Sequence, residues 1–243
     1  MPTAGSVALP RARRTAAGIA TLVVGLLAFA AVLDGVDEHA DLSVWDSPVL
    51  TWLLSHRSAP ATAVLKAVSW LADPAVLAPF VIVLALGIAW RTRRARPALL
   101  LGGATALAMV ASSGIKAIVG RARPSLAVMI APPETNPGFP SGHTLGTATF
   151  LLVASYLQWT WRPTTRTAVV GLAVSAVGTI AVALSRLYLG YHWLTDVTAS
   201  MALAVAILGV VVVMDPLLPT LSRWRTMVGV RRRNSAPSAF VVS

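Results

Sequence analysis

The segment 183–196, ALSRLYLGYHWLTD, holds three side chains that can do chemistry within an otherwise apolar stretch. His192 and Asp196 lie four positions apart, so on a helix the carboxylate can reach the imidazole. Such a contact would fix the imidazole tautomer and leave the other ring nitrogen free to attack. Arg186 adds a cation that suits an anionic substrate. The segment therefore predicts a histidine nucleophile supported by a carboxylate.

A second polar cluster, PSGH at residues 140–143, has the pattern of a helix N-terminus. Ser141 can cap the helix, and Gly142 lets backbone amides approach an anion closely. A helix N-terminus offers free N–H groups and a partial positive charge, which together bind phosphate. We therefore expect a phosphate site beside His143.

The third cluster contains Lys116 and Arg123, seven positions apart, so they share a face if the helix continues that far. Lys116 is one of only two lysines, against eighteen arginines. A basic pair at a helix end commonly anchors the helix at the membrane surface, and a single histidine there is commonly a polar anchor. The occurrence of all three clusters together favours a phosphate site over these structural interpretations.

The rest of the chain supplies the helices that must position these clusters. Of its 243 residues, 56% are apolar, and several runs reach the roughly 20 residues that a membrane span needs. The runs are 15–33, 74–90, 97–119, 142–161, 167–185 and 197–214. We predict an all-α fold, a six-transmembrane-helix bundle that forms a single membrane-embedded domain over residues 1–243. Two further segments, 48–56 and 60–72, predict short helices at the extracytoplasmic interface.

Arginines mark one side of this bundle. They cluster at 11–14, 91–96, 162–166 and 223–233, whereas the loop after the first run is acidic. Because basic flanks favour the cytoplasm, both termini, with tails 1–14 and 216–243, are predicted inside. Successive helices alternate in direction, so the three polar clusters should meet at the extracytoplasmic face. The net charge of +11 then reflects topology, and no nucleic-acid partner is expected.

The first apolar run follows arginines, as it would in a secretory signal peptide. It is longer than the roughly 7–15 residues of a signal core, so we expect a retained helix. The chain has no cysteine, which excludes disulfides, thiolate catalysis and cysteine-bound zinc. A two-metal phosphatase needs several convergent carboxylates, and the clusters contain only Asp196 and, nearby, Glu134. Neither a metal nor another cofactor is therefore expected.

The three clusters together resemble the three-part signature of the type 2 phosphatidic acid phosphatase family. The matching motifs are Lys116-x6-Arg123-Pro124, Pro140-Ser141-Gly142-His143 and Ser185-Arg186-x5-His192-x3-Asp196. They match at every signature position and in order, and they span residues 116–196.

The resemblance implies a role for each matching residue. His192 would be the nucleophile that takes the phosphoryl group as a phosphohistidine, and Asp196 would orient it. His143 would protonate the leaving oxygen and then activate water. The phosphate oxygens would be held by Lys116, Arg123, Arg186, Ser141 and the Gly142 amide. Ser185 is expected to support the site, while Arg121 and Tyr191 lie outside the signature and receive no role.

These expectations favour a phosphatase of the bacterial inner membrane that acts on a lipid phosphate at the outer interface. Candidate substrates are an isoprenoid diphosphate such as undecaprenyl diphosphate, phosphatidylglycerol phosphate and phosphatidic acid. A lipid phosphotransferase that uses the same phosphohistidine remains an alternative. Vanadium haloperoxidases share the signature, but six spans disfavour them. A transporter is also disfavoured, because binding alone needs no acid and nucleophile. The sequence does not predict the oligomeric state.

Overall fold

The computed structural model describes residues 11–130 and 132–218, and within these ranges the chain is helical and contains no strand. The helices are α1 (Arg11–Asp37), α2 (Asp46–Ser55), α3 (Ala59–Leu71), α4 (Pro74–Thr92), α5 (Arg96–Val119), α6 (Gly142–Trp161), α7 (Thr165–Tyr188) and α8 (Leu194–Met214), with short 3-10 helices at Asp41–Trp45 and Leu126–Val128. The all-α prediction is confirmed, and each of the six apolar runs matches a helix to within four residues at either end.

Five of the described helices are long and apolar enough to cross a membrane, namely α1, α4, α5, α7 and α8. The chain is therefore an integral membrane protein. The remaining predicted span is α6, whose 20 residues would extend about 30 Å. It is less apolar because it carries Thr144, Thr147 and Thr149, all of which are buried in the bundle. The count of six spans stays a prediction.

Helix α6 lies at the centre of the bundle, where it contacts α4, α5, α7 and α8. Its buried residues Leu145 and Val153 pack in one core with Leu101 of α5 and Ala204 of α8. Many apolar side chains on the outer helices are instead exposed, as expected where the surrounding medium is lipid.

Helix α1 packs very closely against α8 through glycine. A Cβ atom on Gly25 would lie 2.3 Å from the backbone nitrogen of Ala206, and one on Gly209 would lie 2.3 Å from that of Leu22. Only glycine lets the two backbones approach so closely, a device common between membrane helices. Helix α1 is thus an integral part of the bundle.

The two ends of the bundle differ in chemistry. The site end comprises the C-terminal ends of α5 and α7, the N-terminal ends of α6 and α8, and the short helices α2 and α3. At the opposite end, the arginine end, buried Asp215 (1% exposed) joins three helices. Its carboxylate accepts hydrogen bonds from Arg14 (2.8 Å) and Tyr156 (2.8 Å) and pairs with Arg96 (2.6 Å).

Two terminal tails are predicted, and the structure corrects the N-terminal one and describes only a small part of the C-terminal one. Residues 11–14, expected in an N-terminal tail, belong to α1, because Arg14 binds Asp215 inside the bundle. Of the expected tail 216–243, only residues 216–218 are described, so the arginines at 223–233 lie outside the described residues.

Helices α2 and α3 correspond to the two short interfacial helices expected at 48–56 and 60–72. Ser58 caps α3 by accepting a hydrogen bond from the backbone N–H of Ala61. The side chains of Trp45, Trp52 and Trp70 are exposed around this region. Exposed tryptophans are typical of the membrane–water interface, so both helices have the character of interfacial elements.

Candidate active site

His192 lies in the tight turn that joins α7 to α8. The turn requires Gly190, which has a φ of +82° and whose Cβ would lie 2.5 Å from the carbonyl oxygen of Val128. Helix α8 begins at Leu194, so His192 precedes the helix and the helical condition for its contact with Asp196 is not met. Their contact nevertheless forms, because the Asp196 carboxylate turns back over the helix start. His192 Nδ1 lies 3.1 Å from Asp196 Oδ2.

The partners of His192 define its tautomer. Its Nε2 lies 3.0 Å from Nη1 of Arg123. A guanidinium can only donate hydrogen bonds, so Nε2 must hold a lone pair and the ring proton must be on Nδ1, facing Asp196. Burial lowers the pKa of His192 well below its ordinary value, and the charges of Arg186, Arg123 and Lys116 lower it further. The ring is therefore neutral, and the nitrogen that holds the lone pair faces the arginine.

Three cations line the same cavity as His192. Helix α5 ends at Val119, and Gly120 adopts a left-handed conformation. Lys116 and Arg123 would share a helix face only if α5 continued to Arg123, and Arg123 instead lies in the loop beyond the helix. Both still line one cavity with Arg186 of α7.

Glu134 lies between two of these cations. Its carboxylate is 2.8 Å from Nη2 of Arg123 and accepts a hydrogen bond from Nη2 of Arg186. Burial alone would raise the pKa of Glu134, but the charge and hydrogen bond of Arg186 and the charge of Arg123 hold it below its ordinary value. The two arginines thus already hold an anionic group. Glu134 had no role from the sequence, because it lies in an irregular loop where no periodicity indicates its partners.

Arg186 is held rigidly at the base of this arrangement. It is 2% exposed, and its Nη1 donates to the hydroxyl of Ser69 at 2.8 Å. Its guanidinium lies 4.2 Å from the centre of the Tyr191 ring, a cation–π contact. Ser185 donates its hydroxyl to the carbonyl of Val182 in the same helix, and its supporting role stays a prediction. Ser69 could not be identified from the sequence, since α3 is distant along the chain.

Helix α6 begins beside the cavity, as expected, with Ser141 at its N-cap position. The Ser141 side chain makes no capping bond; it is fully buried and accepts a hydrogen bond from the hydroxyl of Thr144 at 3.1 Å. Gly142 and His143 line the cavity. His143 Nε2 lies 3.7 Å from Oδ2 of Asp73, a carboxylate not assigned from the sequence although it caps α4 next to Pro74.

The cavity measures about 890 Å³ and has two kinds of wall. Its polar wall contains six of the eight predicted site residues, namely Lys116, Arg123, Gly142, His143, Arg186 and His192. Asp196 stands behind His192, and Ser141 does not line the cavity. The apolar wall includes Leu77 and Ala78 of α4 and Ala108 and Met109 of α5. This volume and lining suit a ligand with a polar head and an apolar body.

The carboxylates at the site end are more numerous than the sequence suggested, since Asp46 and Asp73 join Asp196 and Glu134. Within residues 11–130 and 132–218, the histidine and acidic side chains form no group of three that could hold a metal ion. Metal-independent chemistry stays a prediction.

Comparisons with known proteins agree with this geometry. A model of the PAP2 superfamily matches residues 97–218, about half of the chain and all three motifs. The fold is similar to that in the crystal structure of the first transmembrane PAP2 type phosphatidylglycerolphosphate phosphatase from Bacillus subtilis. The TM-score is 0.70 with 20% sequence identity, over 83% of this chain and 97% of that one. No curated protein matches the chain significantly. The chain belongs to the PAP2 superfamily and is a member of the type 2 phosphatidic acid phosphatase family.

Proposed function

We propose that this protein hydrolyses a membrane lipid phosphate or diphosphate through a phosphohistidine formed on His192. Membership of the family makes the chain a phosphatase that acts on lipid phosphates. We propose in addition which lipids it acts on and that the reaction passes through a covalent phosphohistidine.

One observation carries the mechanism: the Glu134 carboxylate bridges Arg123 and Arg186 beside Nε2 of His192. A phosphate presents the same negative charge and the same kind of acceptor oxygens as a carboxylate. It can therefore replace Glu134 between the two arginines. A phosphorus atom held there would meet the lone pair of His192, with Asp196 fixed behind the ring.

In the first half-reaction, Nε2 of His192 attacks phosphorus, and the bond from phosphorus to the leaving oxygen breaks. His143 donates a proton to that oxygen, while Asp196 stabilises the imidazolium that develops. Lys116, Arg123, Arg186 and the Gly142 N–H stabilise the charge on the non-bridging oxygens. We expect Ser141 to contribute only if its hydroxyl turns away from Thr144.

In the second half-reaction, His143 removes a proton from water, and the water oxygen attacks phosphorus. The phosphorus–nitrogen bond breaks, and its electron pair returns to His192. Inorganic phosphate leaves, so the enzyme regains the neutral ring that it has in this structure.

The apolar wall of the cavity supports a lipid substrate. Leu77, Ala78, Ala108 and Met109 lie on helices that can cross the membrane, so a hydrocarbon chain can lie along them without leaving an apolar medium. Candidate substrates are an isoprenoid diphosphate such as undecaprenyl diphosphate, phosphatidylglycerol phosphate and phosphatidic acid. The description of the similar Bacillus subtilis protein makes phosphatidylglycerol phosphate the first to test.

The arginine distribution supports a topology for this enzyme in the bacterial inner membrane. Arg14, Arg91, Arg96, Arg162 and Arg166 belong to the arginine end of the six-helix bundle, which we assign to the cytoplasm. The site end, with its acidic loop after α1, then faces the extracytoplasmic side.

The test is phosphate release from these three lipids by the purified full-length protein in detergent, with excess chelator present. We expect hydrolysis to survive chelation and vanadate to inhibit it. Acid-labile, alkali-stable radiolabelled phosphate should be trapped on the wild type and be absent from His192→Ala, which should not turn over. Label retained in His192→Ala would contradict the proposal. Transfer to an added acceptor in place of release would identify a phosphotransferase.

A further inference from the structure

Asp196 has a cationic neighbour, Arg121, on the side away from His192. Its Oδ2 faces His192 and accepts the backbone N–H of Trp193 at 3.0 Å. Its Oδ1 accepts a hydrogen bond of 2.5 Å from Nη1 of Arg121. Asp196 is 0% exposed, and a buried carboxylate is costly unless a cation and hydrogen bonds compensate it. Arg121 supplies that compensation without entering the main cavity.

Arg121 is itself held by Asp46, at the start of α2. Nη2 of Arg121 lies 2.6 Å from Oδ2 of Asp46, and its Nη1 also donates to the hydroxyl of Thr195 at 2.6 Å. Asp46 is only 6% exposed. The planar guanidinium therefore bridges two buried carboxylates, a geometry that the single ammonium of lysine cannot reproduce.

Asp46 also fixes the helix that carries Asp196. Its Oδ1 accepts the backbone N–H of Thr195 at 2.9 Å, and its Oδ2 accepts the Thr195 hydroxyl at 2.7 Å. The first N–H groups of a helix have no partner within the helix. Asp46 therefore caps α8 from another element, one residue before Asp196.

We propose that Arg121, anchored by Asp46, is a positioning residue that holds the Asp196 carboxylate aligned behind His192. The row His192–Asp196–Arg121–Asp46 alternates in charge once His192 becomes an imidazolium or a phosphohistidine. Arg121 acts through Asp196 and does not touch the phosphate. This inference rests on the proposed function, because it needs His192 to be the nucleophile.

The test compares kcat and KM of the full-length protein in detergent for Arg121→Ala, Arg121→Lys and Asp46→Asn. Because a misplaced catalytic group can cost ~10²-fold, kcat should fall by about that factor in Arg121→Ala, with KM unchanged. Asp46→Asn keeps the shape and the acceptor for Thr195 N–H but loses the charge, so kcat should fall less. The kcat of Arg121→Lys should lie between that of the wild type and that of Arg121→Ala.

Arg57 provides a matched structural control. It also lies at the site end and donates to the backbone carbonyls of Tyr188 and Val128, without contacting the histidine–carboxylate row. Arg57→Ala should lower the unfolding temperature while leaving kcat per folded molecule unchanged. An equal loss of kcat in Arg57→Ala and Arg121→Ala would assign Arg121 a merely structural role and overturn the proposal.

A double substitution gives an independent criterion. Once Asp196→Asn has removed the carboxylate, Arg121→Ala should cause little further loss of kcat, because the two act as one unit. Fully additive losses, or wild-type kcat in folded Arg121→Lys and Asp46→Asn, would contradict the proposal. If the wild type forms no phosphohistidine, the proposed function fails instead, and the trapping experiment distinguishes the two outcomes.

Discussion

Nη1 of Arg123 lies 3.0 Å from Nε2 of His192, so the arginine N–H points at the lone pair that attacks phosphorus in the proposed mechanism. A phosphate that accepts hydrogen bonds from Arg123 would draw this N–H away from the ring. Binding the substrate and releasing the nucleophile are then the same event. A neutral histidine that reacts only when phosphate is present is protected from other electrophiles.

Glu134→Gln should bind substrate more tightly, because the anion that occupies Arg123 and Arg186 is removed. A hydrogen bond between charged groups is worth about 1.5–3 kcal/mol, so KM should fall by roughly 10- to 150-fold. Steady-state kinetics with a short-chain lipid phosphate measures this change. Glu38→Gln, at an exposed acid beyond α1, should leave KM unchanged. A higher KM in Glu134→Gln would mean that Glu134 contacts the substrate itself.

His143→Ala should slow the enzyme by about 10²–10⁴-fold without abolishing turnover, because in the proposed mechanism His143 only transfers protons. The defect should shrink with an activated aryl phosphate, whose leaving oxygen needs no protonation. The measurement is the ratio of kcat/KM between the wild type and His143→Ala, taken for the lipid phosphate and for the aryl phosphate. An equal defect on lipid and aryl phosphates would argue against His143 as the general acid.

The acid limb of the pH profile should lie below pH 6.5, the ordinary pKa of histidine. In the proposed mechanism His192 must be neutral to attack, and its pKa is lowered by burial and by the charges of Arg186, Arg123 and Lys116. Activity is therefore retained as pH falls past 6.5 and is lost only when pH approaches the lowered pKa. The dependence of kcat/KM on pH reports the free enzyme and measures this directly. Half-maximal activity at or above pH 6.5 on the acid side would contradict the burial of His192.

The topology can be tested with cysteines, because the natural chain has none. Thr135→Cys at the site end and Arg94→Cys at the arginine end are both exposed positions. In intact cells, an impermeant thiol reagent should label only position 135. Permeabilised cells should allow labelling at both positions, which controls for reactivity. Exclusive labelling at position 94 would reverse the assigned orientation.

The helices could be predicted from the sequence because each is a long apolar run bounded by charges or proline. Alternating helix directions then brought Lys116, His143 and His192 to one end without any knowledge of contacts. The polar partners of the site could not be found in this way. Asp46, Ser69 and Asp73 act across distances that no periodicity encodes, and each lies outside the three motifs.

The local geometry at Arg123 and His192 could not be predicted from the sequence. Residue spacing indicates contacts only on a regular element, so the expected pairings of Lys116 with Arg123 and of His192 with Asp196 depend on helix at these residues. The structure ends α5 at Val119 and begins α8 at Leu194. Both residues are therefore in turns, where Gly120 and Gly190 direct the chain. These loops still bring Arg123 and His192 to the cavity that Lys116 lines, and His192 still contacts Asp196.

The glycine contact between α1 and α8 can form only late in synthesis. These are the first and last described helices, so Gly25 enters the membrane long before Gly209 and Ala206 arrive. Asp196 is on α8 itself, and His192 immediately precedes it. A nascent chain that lacks α8 therefore has neither the packing between α1 and α8 nor the Asp196 carboxylate beside His192. In the proposed mechanism, catalytic competence therefore requires that α8 has been synthesised and has packed against α1.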